Sequence, residues 1–260
     1  MAKIKKLIIL TILPIILISC GQNRVKETKF PSGKIQYKYF FTKNQIDSVY
    51  EYFEHPNKIK SITKILSDST QNIIMFDKYG RKESEGNTVL KNGRYVRIGW
   101  WNEKDHGLLS QVEYLPIGDT VLTNQYISYD KSGKVDIDNS LFYTIDLPDT
   151  VEFGREYFFN VKLNARIGME DLFISKLKLS NELKWDYSNI EEVEFSYNIQ
   201  EIKMNHWRVE HTFTNKKGKD TIKGGIYVNS TWTEDSEHKD SIHFVNFEKL
   251  VYIKKPIFIK

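Results

Sequence analysis

The sequence predicts an all-β fold, in which an antiparallel sheet of β-hairpins is followed by a second, sandwich-like β domain. The chain of 260 residues is rich in aromatic side chains, with 15 Tyr, 15 Phe and 5 Trp, and it contains only 6 Pro. Short runs of about six strand-forming residues alternate along the chain with turn residues. Aromatic residues are enriched in strands, so this composition favours strands over helices and over disorder.

The N-terminus has the order of an export signal. Residues 1–6 carry three lysines, residues 7–18 are almost entirely apolar, and small residues surround Cys20. This order is typical of a secretory signal, and the apolar run is shorter than the about 20 residues that a membrane span needs. The motif Leu17-Ile18-Ser19-Cys20 resembles the lipobox of bacterial lipoproteins. The resemblance implies that residues 1–19 are a signal peptide and that Cys20 carries the acyl chains which attach the protein to a membrane. The alternative is an ordinary signal peptide with a cysteine at this place by chance.

Cys20 is the only cysteine of the chain, which limits its chemistry. An intrachain disulfide is excluded, and a cysteine nucleophile or cysteine-ligated zinc site is unexpected because the one thiol would be lipidated. The signal holds three of the 38 basic residues, which leaves 35 against 34 acidic residues. This balance gives no reason to expect nucleic acid as a partner. Residues 20–29 are polar without an apolar period, which predicts a flexible tether between the lipid and the folded part.

Hairpins are predicted throughout the first half of the mature chain. Strand-like runs lie at residues 35–41, 48–53, 72–76, 95–101, 109–115 and 121–129. A glycine stands directly before a basic residue in four of the turns, at Gly33, Gly80, Gly93 and Gly133. Glycine is favoured where a hairpin turn needs a positive φ, and the base that follows it opens the next strand.

These turns share a unit made of an aromatic residue or Asp, two further residues, Gly and a base. The unit occurs as Phe30-Pro31-Ser32-Gly33-Lys34, Asp77-Lys78-Tyr79-Gly80-Arg81 and Asp130-Lys131-Ser132-Gly133-Lys134, and Lys91-Asn92-Gly93-Arg94 is followed by Gly99-Trp100. It resembles the β-hairpin repeat of MORN-variant proteins, and the resemblance implies a hairpin-repeat sheet over residues 30–143. The glycines do not recur at a regular period, so generic hairpins with glycine turns are the alternative.

A second β domain is predicted for residues 144–260, because Pro148 with two nearby Asp residues marks a linker. Strands are predicted at residues 157–163, 193–199, 207–213, 220–229 and 243–253. Residues 165–185 fit short strands or one helical face, and we favour strands. About seven strands in about 110 residues fit an immunoglobulin-like sandwich.

Two runs near the C-terminus carry a resemblance of their own. They are Phe213-Thr214-Asn215-Lys216-Lys217-Gly218 and Ile222-Lys223-Gly224-Gly225-Ile226, in which the glycine pair inside a strand pattern predicts a bulge. The runs resemble a late hairpin of the Ig-like domains in Bacteroidota-type lipoproteins. In such lipoproteins, acidic residues just after the cysteine mark a protein for the cell surface. Because no acid precedes Glu27 in the mature chain, the resemblance implies the periplasm-facing side.

The sequence predicts neither a catalytic nor a metal-binding centre, and no cofactor. The pairs His206/His211 and His238/His243 are five residues apart, a spacing that brings neither pair together as local ligands on a strand or helix. We therefore expect surface or strand-edge histidines. The segment from Asp130 predicts a hairpin turn rather than a calcium loop, because its glycine stands at the fourth position instead of the sixth. Nucleophile-elbow, phosphate-loop and dinucleotide motifs are missing.

These features favour a membrane-anchored binding or structural module without enzymatic activity, whose partner is a protein of the cell envelope. The alternative is an enzyme that processes envelope glycan or peptide, which a cleft with two converging carboxylates would favour. An antitoxin-like role, suggested by the MORN-variant resemblance alone, is disfavoured by the export signal.

The predicted partner-binding residues are Trp101, Tyr95 and Arg97. Side chains alternate along a strand, so Trp100 should share an apolar core face with Val96, while the three predicted residues share the other face. Arginine is rarely buried unless it is paired, which predicts that this second face is wet. An exposed tryptophan beside Arg and Tyr has the composition of an interface hot spot. The alternative is that another strand covers Trp101 and uses it for packing.

Overall fold

The computed structural model describes residues 24–260 except 106, 166–171, 185, 195–196, 215 and 236–241. The predicted all-β class is confirmed, since none of the described residues is helical and 17 strands account for most of them. The described part therefore contains no helix that is long and apolar enough to cross a membrane. The predicted signal peptide and Cys20 lie outside the described residues.

The first of two compact units is Met1–Tyr95, and its described part, residues 24–95, is an antiparallel meander. Its strands are β1 (Arg24–Lys29), β2 (Ile35–Thr42), β3 (Gln45–Tyr52), β4 (Ile59–Ile65), β5 (Thr70–Phe76) and β6 (Lys82–Lys91). Each strand pairs with the next along the chain. None of the hydrophobic residues described in this unit is fully buried. The unit is thus a sheet whose apolar side chains are all partly exposed to solvent.

Predicted glycines lie in two of the turns that connect these strands, with Gly33 between β1 and β2 and Gly80 between β5 and β6. The N–H of Asp77 donates to the carbonyl of Arg81 at 2.9 Å, and the Gly80 N–H returns to the Asp77 carbonyl at 2.9 Å. The same pair of bonds forms in the turns that contain Gly33 and Gly133. All three glycines have φ between 80° and 85°, which is the left-handed conformation that this hairpin type requires. The Asp130 segment is such a turn, as predicted.

The second compact unit, Val96–Lys260, contains two sheets. Its strands are β7 (Arg94–Asp105, which begins in the first unit), β8 (Leu108–Ile117), β9 (Thr120–Tyr129), β10 (Val135–Asp146), β11 (Thr150–Val151), β12 (Glu156–Ala165), β13 (Leu172–Leu179), β14 (Asn198–Lys203), β15 (His206–Thr212), β16 (Gly218–Asp235) and β17 (Ile242–Ile259). One sheet runs in the order β7-β8-β9-β10-β12-β15-β14, and the other in the order β11-β17-β16-β13. Among the strand pairings described, only that of the short β11 with β17 is parallel.

The main core lies between these two sheets. Alternate residues of β12 and β15, among them Phe159, Val161 and Val209, point inward and are at most 1% exposed. They pack with Ile226 and Ile253 of the second sheet in one buried cluster. Burying a large aliphatic or aromatic side chain contributes about 1.5–3 kcal/mol each, so this two-layer part supplies most of the hydrophobic stabilisation of the described chain.

Several elements differ from the sequence predictions. The predicted flexible tether is wrong for residues 24–29, which pair with β2 along their whole length. Of the predicted strand at 193–199, the described residues 193, 194 and 197 are not in a strand, and β14 begins at Asn198. The preference for strands within 165–185 is confirmed by β13. Pro148 lies where the chain leaves β10 and crosses to the second sheet at β11.

Candidate functional site

The predicted exposure of Trp101 is wrong, because this side chain is 1% exposed whereas Trp100 is 43% exposed. Alternation along β7 holds, since the Arg97 guanidinium lies 4.3 Å from the centre of the Trp101 ring and so shares its face. The error lies in the inference that arginine marks a wet face. Arg97 donates to Glu103 at 2.5 Å and to the Tyr114 hydroxyl at 2.8 Å. A paired arginine can lie over a buried ring.

This cluster is therefore a packing feature rather than an exposed partner site. The Tyr114 ring meets Trp101 edge-on at 6.3 Å, and its hydroxyl donates to Glu103 at 3.0 Å. Burial, with the bond to Glu103, raises the pKa of Tyr114. The third predicted residue, Tyr95, is 44% exposed. The structure thus brings Arg97 and Trp101 together, with Trp101 buried beneath a partly exposed arginine.

An open groove on the outer face of the four-stranded sheet is the best candidate binding site. Register places Lys176 of β13, Tyr227 of β16 and Leu250 of β17 in one row across this face. The next row contains Asn229 and Glu248. The groove has a volume of about 600 Å³, which lies within the range of ligand sites.

A segment of irregular structure after β13 forms one wall of the groove. Its apolar residues Tyr187 and Ile190 are buried and pack against Leu250 and Tyr252. A Cβ atom on Gly225 would lie 2.9 Å from Ile190 Cδ1 and 2.6 Å from Leu250 Cδ1. The predicted bulge at Gly224-Gly225 is wrong, since the pairing of β16 with β17 continues through both residues without a register shift. Gly225 instead makes room for the segment that walls the groove.

Charged and aromatic groups are held together at this wall. The Tyr227 hydroxyl donates to Glu191 at 2.8 Å, and Lys178 Nζ lies 4.9 Å from the centre of the Tyr227 ring. Lys178 is also 3.9 Å from Glu191. Burial, followed by the hydrogen bond and the charge of Glu191, raises the pKa of Tyr227. The hydroxyl therefore remains a hydrogen-bond donor across the physiological range.

The second row of the groove carries a pair of exposed polar groups. Asn229 Nδ2 donates to Glu248 at 3.2 Å. The groove is thus lined by one tyrosine, two aliphatic residues, three lysines, two glutamates and one asparagine. Such a mixture can hold a polypeptide through one anchoring aromatic contact surrounded by polar contacts.

Sequence reasoning identified the strand that holds Tyr227 but not the groove. Alternation along a strand puts Gly225, Tyr227 and Asn229 on one face. Which face is open depends on the segment that contains Glu191, and its contacts are made with residues far along the chain. The exposure of Tyr227 could therefore not be deduced from local pattern.

Histidines and carboxylates form no metal site in the part of the chain that the structure describes, where no three such ligands converge. The predicted surface or strand-edge position is wrong for His211, which is half-buried. Its ring stacks on Tyr197 at 3.8 Å and meets Phe213 edge-on at 4.8 Å. Burial lowers the pKa of His211, and the nearby Asp220 opposes this shift. His106 and His238 lie outside the described residues.

No protein-family model matches this chain, and no curated protein matches it either.

Proposed function

We propose that the chain is a membrane-anchored lipoprotein of the cell envelope, which acts as a binding module without enzymatic activity and holds a protein partner in the groove beside Tyr227. The lipobox around Cys20 supports the anchor, and the absence of early acidic residues supports a periplasm-facing position. The observation that carries the binding role is the groove itself. It places a half-buried tyrosine, held by Glu191 and Lys178, on an open sheet face of the second unit.

The architecture that carries the groove supports an immunoglobulin-like assignment. In chain order and without the short β11, the strands from β10 to β17 correspond to A to G of that fold. They then form the sheets A-B-E-D and C-F-G, which are those of the constant-type immunoglobulin sandwich. In this assignment the module begins with β10, and the groove lies on the C-F-G face. A fold of this kind does not define a function, so the binding role rests on the groove alone.

The assignment of the N-terminal hairpins to MORN-variant-like repeats is supported by their turns. The turns of Gly33, Gly80 and Gly133 repeat the same two backbone hydrogen bonds. In the two turns that begin with Asp, the carboxylate also accepts backbone N–H groups, as Asp77 does from Tyr79 at 2.8 Å. We assign these hairpins a structural role and place partner binding in the domain that carries the groove.

The binding proposal is tested by truncating Tyr227 and comparing the result with a matched exposed aromatic. Phe158 lies on the outer face of the other sheet, with the Arg208 guanidinium 4.9 Å from its ring centre. Envelope proteins would be cross-linked to the lipidated protein and quantified after purification. We expect Tyr227→Ala to reduce the recovered partner about tenfold or more, since truncating a hot-spot residue costs ~2 kcal/mol or more. Phe158→Ala should leave recovery unchanged, and equal losses in both variants would contradict the proposal.

The anchor is tested separately with Cys20→Ala. Because the proposal gives the protein no other attachment to the membrane, this variant should lose fatty-acid labelling and leave the membrane fraction after a carbonate wash. Retention of the variant on washed membranes would show that the attachment lies elsewhere. The periplasm-facing position is tested by adding protease to intact cells, which should leave the protein uncut. Digestion of the protein would place it on the cell surface instead.

An envelope glycan- or peptide-processing enzyme is the alternative, and it is favoured by one feature of the groove. Glu191 and Glu248 both line it, and a pair of carboxylates in one cleft is the requirement for glycoside hydrolysis. Each accepts a hydrogen bond from a neighbouring side chain, Tyr227 and Asn229 respectively. Release of reducing sugar or amino groups from purified envelope material, lost in Glu191→Gln and Glu248→Gln, would favour this alternative over the binding module.

A further inference from the structure

One end of the first unit carries nearly all of its exposed large hydrophobic side chains. In a meander, alternate turns lie at the same end of the sheet. The start of β1, the β2–β3 turn, the β4–β5 turn and the β6–β7 turn therefore share one end, which we call the anchor end. The Leu90 N–H donates to the Ser69 carbonyl at 2.7 Å, so the β4–β5 turn is in contact with the last residues of β6 at this end.

The exposed hydrophobic residues of the anchor end are Val25, Ile46, Leu66, Leu90 and Tyr95. At the opposite end of the unit, Tyr79 is the one large hydrophobic residue exposed to this degree among the described residues. Cationic residues occur at both ends of the unit, so charge does not distinguish them. Isolated exposed apolar residues are ordinary, but a concentration of them at one end of a small unit marks a contact surface.

The position of the proposed lipid identifies what this end contacts. Three residues separate Cys20 from Arg24, the first residue of β1. An extended chain covers at most about 3.5 Å per residue, so the Cα atoms of Cys20 and Arg24 are at most about 14 Å apart. The acyl chains therefore enter the bilayer close to the anchor end. Strands of 7 to 8 residues such as β2 and β4 place the opposite end about 25 Å away.

We infer that the anchor end is a membrane-contact surface, whose exposed apolar residues lie in the headgroup region of the bilayer that holds the acyl chains. The inference rests on the proposed lipid anchor and adds an orientation to it, with the strands of the first unit rising from the membrane. Apolar side chains such as Leu66 enter the boundary between headgroups and acyl chains, while Arg24, Lys43 and Arg94 of the same end meet lipid phosphates. Membrane affinity of this kind grows with the buried apolar area and with attraction to anionic lipids.

The experiment uses the full lipidated protein in vesicles of phosphatidylethanolamine and phosphatidylglycerol. Since Cys20 is acylated, one introduced cysteine supplies the only free thiol for a fluorophore. Leu66→Cys probes the anchor end and Tyr79→Cys is the matched control, because these residues are 51% and 62% exposed. Ile46→Cys serves as a second probe of the anchor end in case one substitution disturbs folding. Quenching by spin-labelled lipid is then measured on vesicles that have been separated by flotation.

Loss of most of the emission at positions 66 and 46, with emission at position 79 retained, is the expected result. Equal emission at both ends of a protein that floats with the vesicles would overturn the orientation while leaving the anchor in place. Failure of the protein to float would overturn the anchor, and the orientation with it.

Discussion

The side chain of Asn124 pairs with the backbone of Tyr252 as a second strand would. Asn124 Nδ2 donates to the Tyr252 carbonyl at 2.8 Å, and the Tyr252 N–H donates to Asn124 Oδ1 at 2.7 Å. The same amide donates to Glu113 at 2.7 Å. These bonds join the β8–β9 hairpin to β17 of the second sheet, and Asn124 is only 2% exposed. The hairpins nearest the sandwich are therefore fixed to it by buried hydrogen bonds.

Replacing Asn124 by Ala should destabilise the second unit by about 2–4 kcal/mol, because an unpaired buried polar group costs ~1–3 kcal/mol and the change leaves more than one. Urea unfolding followed by tryptophan fluorescence measures this loss. The control is Asn139→Ala, which removes an exposed side chain whose amide donates to Asp136 at 2.8 Å. Similar unfolding midpoints for both variants would show that the amide bonds do not hold the hairpin to the sandwich.

The two adjacent tryptophans of β7 should respond very differently to truncation. Trp101 is buried under Arg97, so Trp101→Ala should cost about 3–5 kcal/mol, as large-to-small changes in a core do. Trp100 is exposed, and Trp100→Ala should change stability by about 0.5 kcal/mol or less. Thermal unfolding of the two variants measures these losses of stability. A greater loss of stability for Trp100→Ala would indicate that Trp100, and not Trp101, lies in the core.

Gly225 should not tolerate a side chain while Ile190 and Leu250 are present. The added methyl group of Gly225→Ala would overlap both residues, and overpacking costs about 1–3 kcal/mol. Combining it with Ile190→Ala should recover part of this loss, because the second change makes room for the first. A double-mutant cycle from denaturant unfolding measures the coupling. Additive losses would contradict the close contact between Gly225 and the segment that walls the groove.

Stability should fall on mild acidification because of His211. Burial lowers the pKa of His211 below the usual value of about 6.5, so protons bind more tightly to the unfolded chain. The stabilisation is fully present above that usual value and is lost as the pH falls through the folded pKa. His211→Phe keeps a ring between Tyr197 and Phe213 and should remove this part of the pH dependence. Denaturant unfolding at about pH 7.5 and pH 5 measures it.

The exposed His55 provides the control for this experiment. His55→Gln should keep the pH dependence of the parent protein, since His55 lies at a turn and bonds only to Lys34 among the described contacts. If His211→Phe loses as much stability on acidification as the parent protein does, the buried histidine is not the cause.

The turn chemistry was predictable from the sequence, because it is local. Gly33, Gly80 and Gly133 adopt the positive φ that their surroundings implied. β4 and β6 were missed, because their apolar residues are interspersed with many charged or polar ones and give no clear alternation. The face of Trp101 was misassigned for a different reason. Arg97 is hydrogen-bonded to Glu103 and Tyr114. The local sequence pattern does not show that an arginine is paired in this way.

The groove could not be predicted from the sequence. The strand that carries Tyr227 was predicted, but its open face is defined by a segment without regular structure that packs on Gly225 and Tyr252. Such packing follows from side-chain shape and from contacts between residues far apart in the chain. The pattern of apolar residues therefore predicted the strand. The position of the segment that contains Glu191 could be determined only from the three-dimensional structure.

The most direct test of the binding role is photo-cross-linking from inside the groove in living cells. A photoreactive residue would replace Asn229, which is exposed and bonded to Glu248. The matched control replaces Asn198, which is likewise exposed and bonded to Glu210, but on the outer face of the other sheet. If the partner binds in the groove, position 229 should give one adduct of defined mass, which is lost when Tyr227→Ala is added, and position 198 should give none. No adduct from position 229, or the same adduct from both positions, would contradict the binding role.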